Sequence, residues 1–273
     1  MTMLSQVNKD DVTMTSASNE SVWIYTDADN TLWDTNSVFA EAQLALLSVA
    51  EDIASHQLGG ADRLAFLRQY DQAIAQRHHA RLRYPPGLLV RALVLGVQGL
   101  SPDVAAARVV SGSTPLSSEE VQAAIQFQSD IARVPPLLSG VREGLEILRA
   151  FGIPVYVITE GPLDRAKATA QSLGIDQYLE GVLSATKSTE LYQRLADKAS
   201  PRRAVMIGDQ ADRDIRLAHA AGLQTVLVKG DFQPKWISER DKVVADAVVT
   251  DFAAAIEWVI SRYEPLNVAG EKA

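Results

Sequence analysis

Hydrophobic and polar positions change their rhythm twice along this chain. Residues 1–20 (MTMLSQVNKDDVTMTSASNE) are polar, rich in Ser, Thr and Asn, and have no period, which predicts a disordered tail. Residues 22–26 (VWIYT) form a short apolar run of β-formers and predict a buried strand. The run stops abruptly at Asp27-Ala28-Asp29-Asn30-Thr31. From Asn36 to Val134 the strand pattern disappears. Residues 37–50 carry helical apolar spacing, and Gly59-Gly60 interrupts it. Residues 62–84 predict another helix, stopped by Pro85-Pro86. Ser101-Pro102-Asp103 places an N-cap, a first-position proline and a first-turn acid before a further helix. Ser117 and Glu120 have capping-box spacing ahead of a helix running to about Arg133, which Pro135-Pro136 ends.

Beyond Pro136 the rhythm alternates. Helices are expected at 140–150, 163–173, 188–198, 212–220 and 251–263, with Gly174 and Gly222 closing the second and fourth. Between them lie apolar runs at 153–159, 181–184, 204–207, 224–228 and 247–250 that predict strands. Strands alternating with helices imply a parallel sheet covered on both faces. The expected fold class is therefore α/β, a doubly wound parallel (Rossmann-like) sheet with an all-helical segment inserted after the first strand. The expected division is a tail at 1–20, a core of 21–36 with 135–273, and a helical domain of 37–134.

Composition narrows the functional classes. The 273 residues include 47% apolar and 22% charged residues, ordinary for a globular chain that buries its own core. Cysteine is absent, which excludes disulfides, thiolate zinc sites and a Cys nucleophile. The net charge of −8 argues against nucleic acid and anionic membranes as partners. No apolar run reaches the ~18 residues of a spanning helix, and the N-terminus lacks the apolar stretch of a signal peptide. The expectation is a cytoplasmic protein, monomeric or homodimeric.

In open parallel sheets ligands bind beyond the carboxyl ends of the strands. Asp27 and Asp29 follow the first predicted strand. Thr159, Glu160 and Gly161 end the second, and Lys187 follows the third. Gly208-Asp209 ends the fourth, with Asp212 and Asp214 close behind. Each piece alone is ordinary: a D-x-D is a common turn or N-cap, and a strand-end Thr or a solvated Lys needs no function. Their conjunction at one sheet edge is what points to chemistry. Gathered carboxylates raise one another's pKa unless a cation neutralises them. Asp27, Asp29, Asp209 and Asp214 with Lys187 carry four negative charges and one positive, a formal −3 that would repel an anionic substrate. Mg²⁺ suits such an oxygen-rich donor set, and a carboxylate can act as a nucleophile on phosphorus.

In order, Asp27-x-Asp29-x-Thr31, Thr159, Lys187 and Gly208-Asp209-x4-Asp214 resemble the four motifs of the haloacid dehalogenase-like hydrolase superfamily, over about residues 21–263. The resemblance implies a Mg²⁺-dependent phosphatase acting on a small phosphorylated metabolite, with Mg²⁺ as cofactor. Asp27 would be the nucleophile, and Asp29 the general acid and then the base. Thr159 and Lys187 would hold phosphoryl oxygens. The metal would be bound by Asp27, the Asp29 backbone carbonyl and Asp209, with Asp214 as ligand or holding a metal-bound water. The insertion at 37–134 would be a C1-type helical cap, a lid over small substrates. Relatives often have proline after the lysine, where Ser188 stands here, and Asn or Ser where Glu160 stands. Asp29 favours ester hydrolysis over dehalogenation, since an alkoxide needs a proton to leave and a halide does not. A phosphomutase would use the same residues.

Further substrate contacts are expected from Asn30, Glu160, Gly161 and Trp33 around the motifs. They are also expected from Arg77, His78 and Arg81 in the basic stretch Arg77–Arg83, which equally reads as a solvated helix face. Two rivals come from other classes. A phospho-accepting receiver domain gathers similar residues but is only ~120 residues long. A partner-binding protein on a decayed enzyme scaffold would not keep every motif. A nucleotide-dependent kinase is disfavoured, because no Gly-rich phosphate loop is present.

Overall fold

The computed structural model describes residues 22–59, 62–79, 84–112, 115–200, 203–230 and 244–263. The predicted tail, Arg81 and the 80–83 part of the basic stretch lie outside them. Among these residues six strands form one parallel sheet: β1 (Val22–Thr26), β2 (Val155–Thr159), β3 (Gly181–Ser184), β4 (Arg203–Gly208), β5 (Gln224–Val228) and β6 (Ala247–Val249). Their spatial order is β3-β2-β1-β4-β5-β6. The chain builds outward from β1 to β3, then returns to β4 on the other side of β1. The winding direction thus reverses around β1, and a crevice opens at the carboxyl ends of β1, β2 and β4. Thr26, the last residue of β1, is level with Val157 on one side and with Ile207 on the other, so β2 and β4 run slightly past the end of β1 and their last residues flank it.

The two-residue period of the strands covers both faces. Ile24, Val157, Val205 and Ile207 face α6 (Val141–Ala150) and α10 (Phe252–Tyr263), whose Leu145, Leu148, Phe252 and Ile256 fill that layer. Tyr25, Ile158 and Met206 face α8 (Thr189–Ala199) through Leu191, Tyr192 and Leu195. The buried Tyr25 hydroxyl donates to the Leu195 carbonyl at 2.9 Å, which ties β1 to α8.

Between β1 and α6 the described residues form five α-helices: α1 (Thr35–Ala54), α2 (Arg63–Arg77), α3 (Pro86–Val97), α4 (Pro102–Val110) and α5 (Ser118–Asp130). They share a hydrophobic core of their own, with Leu46, Leu67, Ile74, Leu93 and Phe127 among its members. The segments entering and leaving this insertion run side by side. Asp34 N–H donates to Pro136 O at 2.8 Å, and Leu138 N–H to Leu32 O at 3.0 Å. The capping box of Ser117 and Glu120 is present at the start of α5, and Glu120 also pairs with Arg91. No helix among the described residues is long and apolar enough to cross a membrane.

Two expectations need correction. Pro85-Pro86 does not merely stop a helix. Helix α2 ends at Arg77, and Pro86 opens α3 at a first-turn position, where a missing N–H costs nothing. Helix α3 escapes the periodicity because it is apolar nearly all round (PGLLVRALVLGV), as a helix at the centre of a small core must be. The predicted helix at 212–220 is a π-turn, Ala211–Ile215, followed by the short α9, Arg216–Ala220.

Glu51, 1% exposed, anchors α1 to α2. Its carboxylate accepts from Arg63 at 2.7 and 2.8 Å and from Leu58 N–H at 2.9 Å. Arg63 is about one-third exposed and can rehydrate, so the cost of removal is smaller than for a fully buried pair. Glu51→Ala should lower the unfolding free energy by about 1–3 kcal/mol, read from the urea midpoint. An unchanged midpoint would contradict this reading of the pair.

Candidate active site

The loop after β1 is wound tightly on itself. The Ala28 carbonyl accepts from the N–H groups of Thr31 (3.3 Å), Leu32 (2.9 Å) and Trp33 (3.3 Å). Asn30 sits at φ 60°, a left-handed conformation that Asn tolerates better than most residues. Its side chain accepts from Asn36 N–H at 2.8 Å, so its amide braces the loop and it is not among the residues lining the cavity described below. Asp34 caps α1 by accepting from Ser37 N–H at 2.9 Å. The effect is to hold Asp27 and Asp29 at the end of β1, both facing one cavity.

Lys187 reaches this point from beyond β3. Ser188 caps α8, its hydroxyl accepting from Leu191 N–H at 3.2 Å, which is what serine does at the position where relatives often have proline. The Lys187 backbone N–H donates to Glu160 Oε1 at 3.1 Å. Its ammonium then lies between two buried carboxylates: it pairs with Asp27 Oδ1 and, at 2.6 Å, with Asp214 Oδ1. Burial opposes a charge on this lysine, but Asp214 and Asp27 outweigh it and hold its pKa well above the usual value.

Asp214 arrives by way of the π-turn. Its N–H donates to Gln210 O at 2.8 Å, and its Oδ2 accepts from Gln210 N–H at 3.1 Å. Gly208 is what leaves room. A Cβ at Gly208 would stand 2.5 Å from Asp214 Cγ and 2.6 Å from its Cβ. Single π-turns of this kind are frequent where a side chain must be re-aimed at a site.

Oxygens of Asp27, Asp209 and Asp214 lie within 4.8 Å of one another. Burial, reinforced by Asp214 and Asp29 and opposed by Lys187, pushes the Asp27 carboxyl up to about 7. Burial and then the Asp27 and Asp214 charges raise Asp209 well above the carboxylate range. Asp27 Oδ2 and Asp209 Oδ1 are buried and have no hydrogen-bond partner among the described residues. Unpartnered buried carboxylate oxygens are costly, and a hard divalent cation is the group that satisfies them. The donor set fits such an ion. Asp27, Asp209 and Asp214 could hold it.

The remaining predicted residues divide. Thr159 ends β2, and its Oγ1 accepts from Gly161 N–H at 3.0 Å. Asp29 Oδ1 accepts from Trp33 Nε1 at 3.0 Å and Thr35 Oγ1 at 2.6 Å. Glu160 pairs with Arg213, so its negative charge is offset. Asp27, Asp29, Trp33, Thr159, Glu160, Gly161 and Lys187 line a shared cavity of about 630 Å³. Arg77 and His78 do not. Arg77 pairs with Asp103 at 3.0 Å, and His78 follows the end of α2 as its C-cap residue, its ring centre 4.3 Å from that of His79. Arg77 and His78 form no part of the wall because α2 ends there and Arg77 turns to its neighbour α4. Besides Lys187, the cations on the wall among the described residues are Arg165 and Arg213, which sequence reasoning missed. Arg165 follows Thr159 on the first turn of the next helix and Arg213 stands inside the fourth motif, just before Asp214, and that nearness is the one signal that could have found them.

A family profile described as haloacid dehalogenase-like hydrolase matches residues 24–222. Among curated protein sequences, none matches this chain. Solved structures share the fold at low identity. A HAD hydrolase from Bacillus subtilis, YfnB, bound to magnesium, is 14% identical with a TM-score of 0.58, covering 90% of this chain and 99% of its own. A haloacid dehalogenase-like family hydrolase from Xanthomonas campestris is 16% identical with a TM-score of 0.59, covering 88% and 95%. A protein described as a predicted phosphoglycolate phosphatase from Haemophilus somnus is 18% identical with a TM-score of 0.56, covering 88% and 98%.

Replacing Lys187 by Met removes the only charge between Asp27 and Asp214. In chelator the variant should lose about 3–5 kcal/mol of unfolding free energy, the cost of orphaning buried partners. Added divalent cation should recover part of that loss. Wild-type stability in chelator would contradict the role given to this ammonium.

Proposed function

Since the chain belongs to the haloacid dehalogenase-like hydrolases, we propose that it is a Mg²⁺-dependent phosphatase that cleaves a small phosphorylated metabolite through an aspartyl-phosphate. The observation that carries this reading is the single buried cluster of Asp27, Lys187, Asp209 and Asp214 opening on a cavity that Asp29 and Thr159 also line. Mg²⁺ would be held by Asp27, Asp209 and Asp214, with the Asp29 backbone carbonyl, and supplies the charge that lets a phosphate dianion approach these acids. The five-helix insertion serves as the lid.

The chain's own groups then divide the work. Lys187 holds Asp27 Oδ1, which fixes the carboxylate for attack on phosphorus without a rotamer search. The new bond joins an Asp27 oxygen to phosphorus, and the ester P–O bond breaks. Asp29 gives its proton to the departing alkoxide. With Oδ1 already accepting from Trp33 and Thr35, that proton is carried on Oδ2. Asp29 next takes a proton from water, which attacks phosphorus, releases inorganic phosphate and restores Asp27. The Thr159 hydroxyl, whose oxygen is fixed by Gly161 N–H, donates to a phosphoryl oxygen, and Lys187 offsets charge there. Positioning and electrostatics supply most of the acceleration, as in phosphoryl transfer generally.

The test is inorganic phosphate release from para-nitrophenyl phosphate and from alkyl, sugar and organic-acid phosphates. EDTA should silence release and Mg²⁺ should restore it, whereas full activity in chelator would rule out the metal. Asp27→Asn should cost about three orders of magnitude or more, and retention of most activity would sink the nucleophile. Asp29→Asn should cost about 10²- to 10⁴-fold on alkyl esters and less on para-nitrophenyl phosphate, whose leaving group needs less protonation. Equal losses on both would remove Asp29 from the proton's path.

A further inference from the structure

Six charged side chains line the cavity: Asp27, Asp29, Glu160, Arg165, Lys187 and Arg213. Five of them have partners within the site. Lys187 is shared by Asp27 and Asp214, Glu160 pairs with Arg213, and Asp29 accepts from Trp33 and Thr35. Arg165 stands apart. It lies on the first turn of α7 (Leu163–Ser172), is exposed, and pairs with no carboxylate among the described residues. Its Nη2 donates to the Ile131 carbonyl at 2.6 Å, at the C-terminal end of α5. A guanidinium has five N–H donors in a planar fork, and this contact uses one.

The rest of the wall limits what can lie against Arg165. Trp33, Phe39, Pro135, Pro162 and Ala166 give the wall an apolar side, and Thr169 and Gln210 are further polar side chains on it. Two of the wall hydroxyls are committed, Thr35 to Asp29 and Ser184 to the Gly161 carbonyl at 2.7 Å. A sugar leaving group would leave hydroxyls unpaired along the apolar side, a cost that works against it. A compact leaving group with one anionic end would meet apolar contact along its length and a bidentate donor at its end.

We propose that Arg165 is the specificity-determining residue of this site and that the preferred ester carries a carboxylate on its leaving group. The inference rests on the phosphatase reading and deepens it to a substrate class, phosphorylated small organic acids. It also joins selection to the lid, because the same guanidinium bridges α7 of the core to the end of α5.

The experiment compares carboxyalkyl phosphates with neutral alkyl phosphates of equal chain length, in Mg²⁺, on wild type, Arg165→Gln and Arg165→Lys. The wild type should prefer the carboxylated series. Arg165→Gln should lower the ratio of kcat/KM between the two series by about 10- to 100-fold, chiefly through KM, the loss expected for a hydrogen-bonded charge. Arg165→Lys should lower it less, since it keeps the charge and loses the fork. A lid contact alone would slow both series alike, and an unchanged ratio in Arg165→Gln overturns the proposal. A second readout does not need turnover. Carboxyalkyl phosphonates should raise the wild-type Tm more than alkyl phosphonates do, and Arg165→Gln should erase that difference. If no ester is cleaved but the difference appears and is erased, the phosphatase reading fails and the Arg165 assignment stands. If esters are cleaved and the difference is absent, the Arg165 assignment fails alone.

Discussion

An ammonium buried between two carboxylates is the constraint from which the site follows. Lys187 can be charged at the carboxyl edge of the sheet only because Asp27 and Asp214 meet it there, and those acids can be buried only because it is present. The arrangement is still short of positive charge. Asp27 and Asp209 keep buried oxygens without a partner, and both are pushed toward protonation by burial and by their acidic neighbours. A site left in this condition stores electrostatic free energy that a divalent cation can relieve, and only then can an anionic phosphoryl group approach. Stability and binding are therefore set against each other at one point, as is usual where a fold carries chemistry.

Much of the fold exists to bring that pair together. The registers of β2, β1 and β4 bring their carboxyl ends within two residues of one another, and the reversal of winding around β1 leaves them uncovered. A loop closed on the Ala28 carbonyl then sets Asp27 and Asp29 side by side, Ser188 sets Lys187 just ahead of α8, and the π-turn with Gly208 brings Asp214 back over β4. Three unrelated local devices thus converge on one small volume. The helical insertion, with a hydrophobic core of its own, enters and leaves beside that loop.

The parts legible in the sequence were those governed by one-dimensional patterns. Apolar runs ending in Asp27, Thr159 and Gly208-Asp209 marked strand ends, and a parallel sheet has to gather its strand ends on one edge. Ser117 and Glu120 announced a helix because a capping box is local. What stayed hidden depended on packing. Helix α3 is apolar on nearly every side and so has no period to read, and the proline pair at its start signals an end as readily as a beginning. Arg77 and His78 drew notice as a dense basic run, yet charge density says nothing of direction, and Arg77 turned to Asp103. Arg165 and Arg213 went unnoticed because single arginines on a helical turn look like solvated surface until the cavity is seen. Asn30 follows the same logic: its value is a left-handed backbone and a brace for Asn36, which motif reading takes for substrate contact.

The central claim is that Asp27 carries the phosphoryl group. It is tested most directly by acid-quenching the enzyme during turnover of a radiolabelled phosphate ester in Mg²⁺, then mapping the labelled peptide and treating it with hydroxylamine. The account predicts a hydroxylamine-labile phosphoryl group on the peptide containing Asp27. Label on another residue, or substoichiometric label that Asp27→Asn leaves unchanged, would contradict it.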